Sequence, residues 1–352
     1  MLKTNNAENL DNVLLKNPQT ESLIADGDLA EAARKLFAAQ KDKWTFLNSG
    51  YESLKNVQTR IVNFDSFDII LQHNPNRITS SQAEVDEESV KKRTCFLCFN
   101  NLPPEQKGLV YGSEYLILCN PFPIFPEHFT LPNINHFPQE IKSSVRTLLN
   151  LSRDLSKYYG IFYNGPRCGA SAPDHMHFQA GSKIFLPVEK NFERLKQAYG
   201  EKIIRDKTIE VSGIDDGIRR FISIESNNYK FILNLLDRLF RILEKLFPDA
   251  GEPPINIIST YEAGKGWRII VFLRSKHRPS HYFREGNERI LLSPGAADMG
   301  GICILPVEKD FRDLDKETLA EIFTEVTIGK EFFVYVKSSL KEKAKVLFNF
   351  GS

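Results

Sequence analysis

The octapeptide from Asp174 to Gly181, DHMHFQAG, narrows the choice of fold more than any other stretch of this chain. Two histidines and a glutamine recur at every second position. In a strand, side chains alternate across the sheet, so His175, His177 and Gln179 share one face while Met176 and Phe178 share the other. One face carries chemistry and the other suits packing, which asks for a sheet with a core on one side and a site on the other.

The rest of the chain can supply such a sheet. At 352 residues it is long enough for about two domains. With 41% hydrophobic and 26% charged residues it has the balance of a water-soluble globular protein. The formal net charge of +1 gives no basis for nucleic acid as a partner, because phosphate-backbone binding leaves a strong basic bias. The N-terminal stretch MLKTNNAENLDNVLLKNPQTESLIADG is acidic in places and has no long apolar run. It reads as neither secretory signal nor membrane anchor, so the expected home is the cytoplasm with no membrane partner. Five cysteines, Cys95, Cys98, Cys119, Cys168 and Cys303, are too few and odd in number for a disulfide framework.

Apolar spacing predicts a helix from about Asp28 to Leu54. Strand patterns follow in RIVNFDSFDIILQHN and YLILCNPFPIFPEHFTLP, then an amphipathic helix in PQEIKSSVRTLLNLSRDLSKYY and the strand HMHFQAGSKIFLP. A long helix, NNYKFILNLLDRLFRILEKLFPD, leads to the strands PINIISTY, GWRIIVFLRS, ERILLSP and GGICILPVEKDF and a closing helix, DKETLAEIFTEVTIGKEFFVYV. The expected class is α+β, with two similar halves. The echo between FLPVEKNFERL and ILPVEKDFRDL agrees with a duplication. The divisions expected are an N-terminal helical extension over 1–60, a catalytic half over 61–195, a helical connection over 196–250 and a degenerate second half over 251–352.

Four side chains qualify as zinc ligands: Cys95 and Cys98 in TCFLCFN, His128 in FPEHFTLP, and His175. Two thiolates and two imidazoles make a tetrahedral set that zinc favours. Two half-buried loop cysteines are the plainer alternative. His177 has another use, since an imidazole held in place can attack phosphorus and form a phosphoramidate. Gln179 can then donate its amide to a non-bridging phosphate oxygen. Otherwise the pair is a polar patch on a solvated strand. The preceding loop, YNGPRCGASAPD, favours the first reading: its small residues let backbone approach a ligand, and Asn164, Arg167 and Ser171 offer donors to phosphate. Arg77 can grip a phosphate bidentately, or cap a turn after Pro75. Arg274, His277 and Arg278 could contact phosphates or form a basic rim. His73 and His136 receive no role.

NGPRCGASAPDHMHFQ resembles the active-site signature of the galactose-1-phosphate uridylyltransferase and diadenosine tetraphosphate phosphorylase branch of the histidine-triad (HIT) superfamily. CFLC and FPEHFTLP resemble the zinc-site segments of those enzymes, in the same chain order. The resemblance implies two HIT-like halves, each an antiparallel sheet with packed helices. It implies His177 as the nucleotidylated nucleophile, Gln179 as phosphate holder, and Cys95, Cys98, His128 and His175 around one mainly structural zinc. The substrate class implied is a nucleotide sugar or a dinucleoside polyphosphate, with phosphate or a sugar phosphate as acceptor. A homodimer is compatible with this reading. The alternatives are a hydrolase of the same superfamily, or a zinc-stabilised nucleotide-binding protein without turnover.

Overall fold

Residues 10–348 are described by a computed structural model; the first nine residues of the expected N-terminal extension and the last four of the expected second half lie outside it. Among the described residues, helices α1 (Pro18–Ala25), α2 (Leu29–Lys43) and α3 (Thr45–Leu54) precede the strands. The single helix expected over Asp28–Leu54 is two, because Trp44 takes an extended conformation (φ −116°, ψ 93°) and buries its ring. Asp28 caps α2 by accepting from the Glu31 N–H, satisfying one of the donors a helix start leaves open.

A hairpin follows, β1 (Gln58–Phe64) and β2 (Phe67–His73), where the sequence pattern showed one strand. Its two-residue turn, Asp65 and Ser66, sets Phe64 opposite Phe67. Further on come β3 (Gly108–Tyr111), β4 (Tyr115–Cys119), β5 (His128–Pro132), helix α4 (Val145–Asp154), β6 (Tyr159–Asn164) and β7 (His177–Ser182). Helix α5 (Phe192–Tyr199) leads to β8 (Gly200–Asp206), β9 (Ile209–Asp215) and β10 (Arg220–Ser226), then helix α6 (Tyr229–Leu246), β11 (Ile255–Glu262), β12 (Gly266–Leu273), β13 (Ile302–Leu305), and helices α7 (Lys316–Val326) and α8 (Lys330–Phe348). The segment 196–250 is therefore not a helical connection: three of its elements are strands. GEKIIRD and RFISIES lack the clean alternation that marks a half-buried strand, and Glu210 to Asp215 mixes small and polar residues, so the long apolar helix beside them dominated the pattern.

Ten strands form one antiparallel sheet, in the order β3-β4-β5-β7-β6-β11-β12-β10-β9-β8. Read from either edge inward, the chain order is the same: three successive strands, then the fifth, then the fourth. This is the expected α+β architecture of two similar halves, joined where β6 pairs with β11 through Phe162 opposite Ile258 and Asn164 opposite Asn256. Strand β12 holds the place in its half that β7 holds in the first. From Gly266 to Leu273 it carries no histidine.

One face of this sheet packs against α2, α4, α6 and α8 in a core that includes Phe178, Ala180, Ile161, Tyr163, Leu148, Leu239 and Ile257. The other face packs against the small sheet β1-β2-β13 and helices α5 and α7, through Phe162, Ile258, Phe272, Leu71, Leu195 and Phe323. Both faces are apolar over most of their extent. Where β5, β7 and β6 meet, the second face instead turns polar. Among the described residues no helix is long and apolar enough to cross a membrane.

Candidate functional site

Strand alternation sends Phe178 and Ala180 into the first core and leaves His177 and Gln179 on the opposite face, as their spacing required. A cavity of about 810 Å³ opens there. His177, Gln179, Asn164, Ser171 and Arg77 all line it, and the second half contributes His277, Arg278 and Asp298. Part of the lining is aromatic and apolar, with Trp44, Phe46 and Phe122 in successive ring contact and Ile124. The break between α2 and α3 is what delivers Trp44 and Phe46 to this wall.

His177 is buried, and its backbone N–H donates to Gln139 Oε1 at 2.8 Å. Its ring Nδ1 lies 2.8 Å from the carbonyl oxygen of His175. A carbonyl only accepts, so Nδ1 carries the proton and Nε2 keeps its lone pair. Burial pushes the imidazole down to about 4, which keeps it neutral near pH 7. A neutral ring with a fixed tautomer has the electronic state a phosphorus nucleophile needs.

The loop before β7 is built for close approach. Gly169 has φ +87°, and a Cβ there would meet the Cα of Gly295 at 2.7 Å, so the two loops touch backbone to backbone. Asn164 Oδ1, at the end of β6, accepts from the Ala296 N–H at 2.7 Å and from Asn256 Nδ2 at 2.9 Å, which ties the start of this loop to the second half. Arg77 donates to the Phe122 carbonyl at 2.8 Å, and burial holds its guanidinium down to about 10, still charged at neutral pH.

His175 does not belong to β7 but to the bend that leads into it. Its Nε2 donates to the Asn133 carbonyl at 2.7 Å, and its Nδ1 faces Cys95 Sγ at 3.2 Å and Cys98 Sγ at 3.6 Å. The fourth member of this group is His136, whose Nδ1 is 3.3 Å from Cys98 Sγ. The ligand atoms of Cys95, Cys98, His136 and His175 all lie within 4.8 Å of one another and could hold a metal ion. His128, expected as the fourth ligand, is not there. Its Nε2 sits 3.0 Å from Gln179 Oε1, in the other part of the site.

The cause is strand register. Strand β5 runs antiparallel to β7 with His128 opposite Gly181 and Pro132 opposite His177. His128 is thus carried past Gln179, away from His175, while the chain beyond Pro132 runs on beside His175 and brings His136 to the cysteines. Asp174 extends the cluster, with one carboxylate oxygen 2.5 Å from Arg93 Nη2 and the other 3.8 Å from His136 Nε2.

Of the three second-half residues considered for phosphate, Arg274 is excluded. It is fully buried, and its guanidinium donates to the carbonyls of Val326, Pro294, Lys276 and His277 and to Asn256 Oδ1. Arg278 stays on the cavity wall, stacked 4.2 Å over the Tyr282 ring and bonded to Ser293 Oγ and the Ala83 carbonyl.

Comparison with known proteins bears on the fold. Residues 36–182 match a domain of unknown function, DUF4922, and residues 195–347 match the GDPGP1-like C-terminal domain. No curated protein matches the sequence. Among solved structures, yeast Ap4A phosphorylase Apa2 in complex with AMP aligns with a TM-score of 0.54 at 18% identity, over 83% of this chain and 96% of that one. The same enzyme in complex with Ap4A gives 0.50 at 16% identity, over 82% and 97%. The chain has the fold of this phosphorylase.

Proposed function

We propose that the protein is a nucleotidyltransferase or phosphorylase acting on a nucleotide sugar or a dinucleoside polyphosphate through a covalent nucleotidyl-histidine intermediate on His177. The observation that carries this reading is the bond from His177 Nδ1 to the His175 carbonyl, in a cavity that His177, Arg77 and Arg278 line together. Phosphate-bearing ligands suit such a wall, and the fold neighbour was solved with AMP and with Ap4A.

His177 Nε2 attacks the α-phosphorus. The nitrogen–phosphorus bond forms as the bond to the bridging oxygen breaks, and the leaving sugar phosphate or nucleotide departs with that electron pair. The positive charge left on the ring is shared with the His175 carbonyl through Nδ1–H. Gln179 donates its amide to a non-bridging oxygen, where negative charge grows. Ser171 and Asn164 bind the same phosphate from the loop, and Arg77 neutralises the polyphosphate. An oxygen of phosphate or a sugar phosphate then attacks the phosphorus from the vacated side, and His177 leaves as the neutral imidazole.

Cys95, Cys98, His136 and His175 would hold zinc. The donor set fits: two thiols beside two imidazoles, with the second nitrogen of His175 already tied to a carbonyl, as ligating histidines require. Without a cation, burial and the adjacent Cys95 push the Cys98 thiol up to about 11. When bound, the metal would supply the positive charge that makes both sulfurs thiolates and would fix the bend before β7.

The test is intact-mass analysis after exposure to a panel of ADP-, GDP- and UDP-sugars and diadenosine tetraphosphate. A mass increase of one nucleoside monophosphate, absent in His177→Ala, supports the reading. No adduct with any member of the panel overturns it. Turnover that proceeds at full rate without phosphate or sugar phosphate, giving the nucleoside monophosphate, would instead assign the hydrolase reading.

A further inference from the structure

We propose that His128 is a positioning residue that fixes the orientation of the Gln179 amide, so that its NH₂ group and not its oxygen faces the phosphate. This rests on the role proposed for Gln179 and adds the residue that sets it.

An amide side chain can sit two ways round, and the two faces of Gln179 have opposite value to a phosphate. The NH₂ group donates to the phosphate oxygen, whereas the carbonyl oxygen repels it. Something must hold the amide one way. The sheet supplies a candidate: β5 and β7 place His128 opposite Gly181, so His128 lies diagonal to Gln179 on the same face, within reach of a long side chain. Nε2 of His128 is 3.0 Å from Gln179 Oε1.

The ring cannot drift from this contact. Phe125 packs edge-on against it, with centroids 5.2 Å apart, and Phe162 lies at 5.9 Å. A Cβ at Gly181 would come within 2.7 Å of the Phe125 ring, so the missing side chain there is what lets Phe125 close over His128. His128 is fully buried.

Its tautomer follows from hydrogen-bond accounting. Nδ1 of His128 is buried with no partner. A proton on Nδ1 would be a buried donor with nothing to receive it, and Nε2 would then lack a proton to give Gln179 Oε1. With the proton on Nε2, one good bond is made and only a weak acceptor goes unpaired. Burial and the nearby Arg77 hold the ring neutral, with its proton affinity down to about 3, so the doubly protonated form does not intervene. The neutral Nε2–H donor engages Oε1, and the NH₂ group of Gln179 is left for the cavity that Gln179 lines.

Two measurements test this. In ¹⁵N-histidine NMR of the whole protein, the resonance lost in His128→Gln identifies His128. An Nε2-protonated pattern is expected, and an Nδ1-protonated pattern overturns the proposal whatever the reaction proves to be. The second is the rate of His177 labelling with the same nucleotide-sugar and diadenosine tetraphosphate panel. His128→Phe, which keeps a flat ring without a donor, should slow labelling on the order of 10²-fold while binding changes little. His128→Gln should recover most of the rate because its amide reaches where Nε2 was, and His128→Asn should not. In a Gln179→Ala background, His128→Phe should have no further effect. Equal, additive losses in both backgrounds with no recovery in His128→Gln would mean that His128 is only a packing residue. An unlabelled wild-type protein showing the Nε2–H pattern would overturn the covalent reading and leave the orientation of Gln179 standing.

Discussion

His177 donates its Nδ1 proton to the carbonyl oxygen of His175 at 2.8 Å, while the ring of the same His175 faces Cys95 and Cys98. One residue therefore faces two sites: its imidazole the candidate metal cluster, its carbonyl the proposed nucleophile. Because His175 lies in the bend and His177 opens β7, the two rings serve neighbouring sites without serving the same one.

The two histidines should separate by substitution. His177→Ala should abolish the nucleotidyl adduct and lower turnover on the order of 10⁴-fold or more, with metal content and melting temperature near wild type. His175→Ala should lose metal and activity together. Intact-mass and metal analysis of both variants check this, and an acid-labile adduct surviving in His177→Ala would exclude His177 as nucleophile.

The metal cluster gives a second separation. Purified protein should hold about one zinc per chain. Cys95→Ser and His136→Ala should lose it and unfold at lower temperature, because binding and folding are linked. His128→Ala should keep it. Elemental analysis with thermal melts of the three variants decides, and zinc loss in His128→Ala with retention in His136→Ala would reverse the assignment.

That distinction shows where sequence reading stopped. Alternation in HMHFQAG was enough to put His177 and Gln179 on one face, because side-chain period is a property of the strand itself. Cys95 and Cys98 were legible from their spacing, and His175 from its neighbour. The choice between His128 and His136 depended on the pairing of β5 with β7, a relation between residues about fifty positions apart that neither strand encodes alone. The helical connection expected over 196–250 failed for a similar reason: β8, β9 and β10 become strands by pairing with β12 and with one another, and their own patterns are weak. Arg274 was unreadable as buried because four of its five partners are backbone carbonyls, which every residue possesses.

Arg274 and Arg278 should behave oppositely. Arg274→Met would leave the Pro294 carbonyl and Asn256 Oδ1 without their guanidinium donor in the interior and break three further bonds to carbonyls, at about 3–5 kcal/mol of stability. Arg278→Met should cost about 1 kcal/mol and raise KM for the polyphosphate substrate roughly tenfold. Urea unfolding with steady-state kinetics distinguishes them. A destabilised Arg278→Met with unchanged KM would remove it from the binding wall.

The buried His128 also makes a pH prediction whose sign is fixed. Its proton affinity is pushed down from the ordinary 6.5 to about 3 in the folded chain, chiefly by burial and next by Arg77. Between those values the unfolded chain binds a proton at this position and the folded chain does not, so acid favours unfolding. The stability from this residue is complete above pH 6.5 and is lost as pH falls toward 3, by up to about 1.4 kcal/mol per pH unit. Other groups titrate over the same range, so the wild-type slope alone does not isolate His128. The comparison with His128→Gln does, since glutamine has no proton to gain. Urea unfolding of both proteins at pH 7, 6 and 5 should show the variant losing less stability than wild type at each step down. If the two curves stay parallel, His128 is not held neutral, and a charged ring would have to find an acceptor for the Nδ1 proton that the folded chain does not offer it.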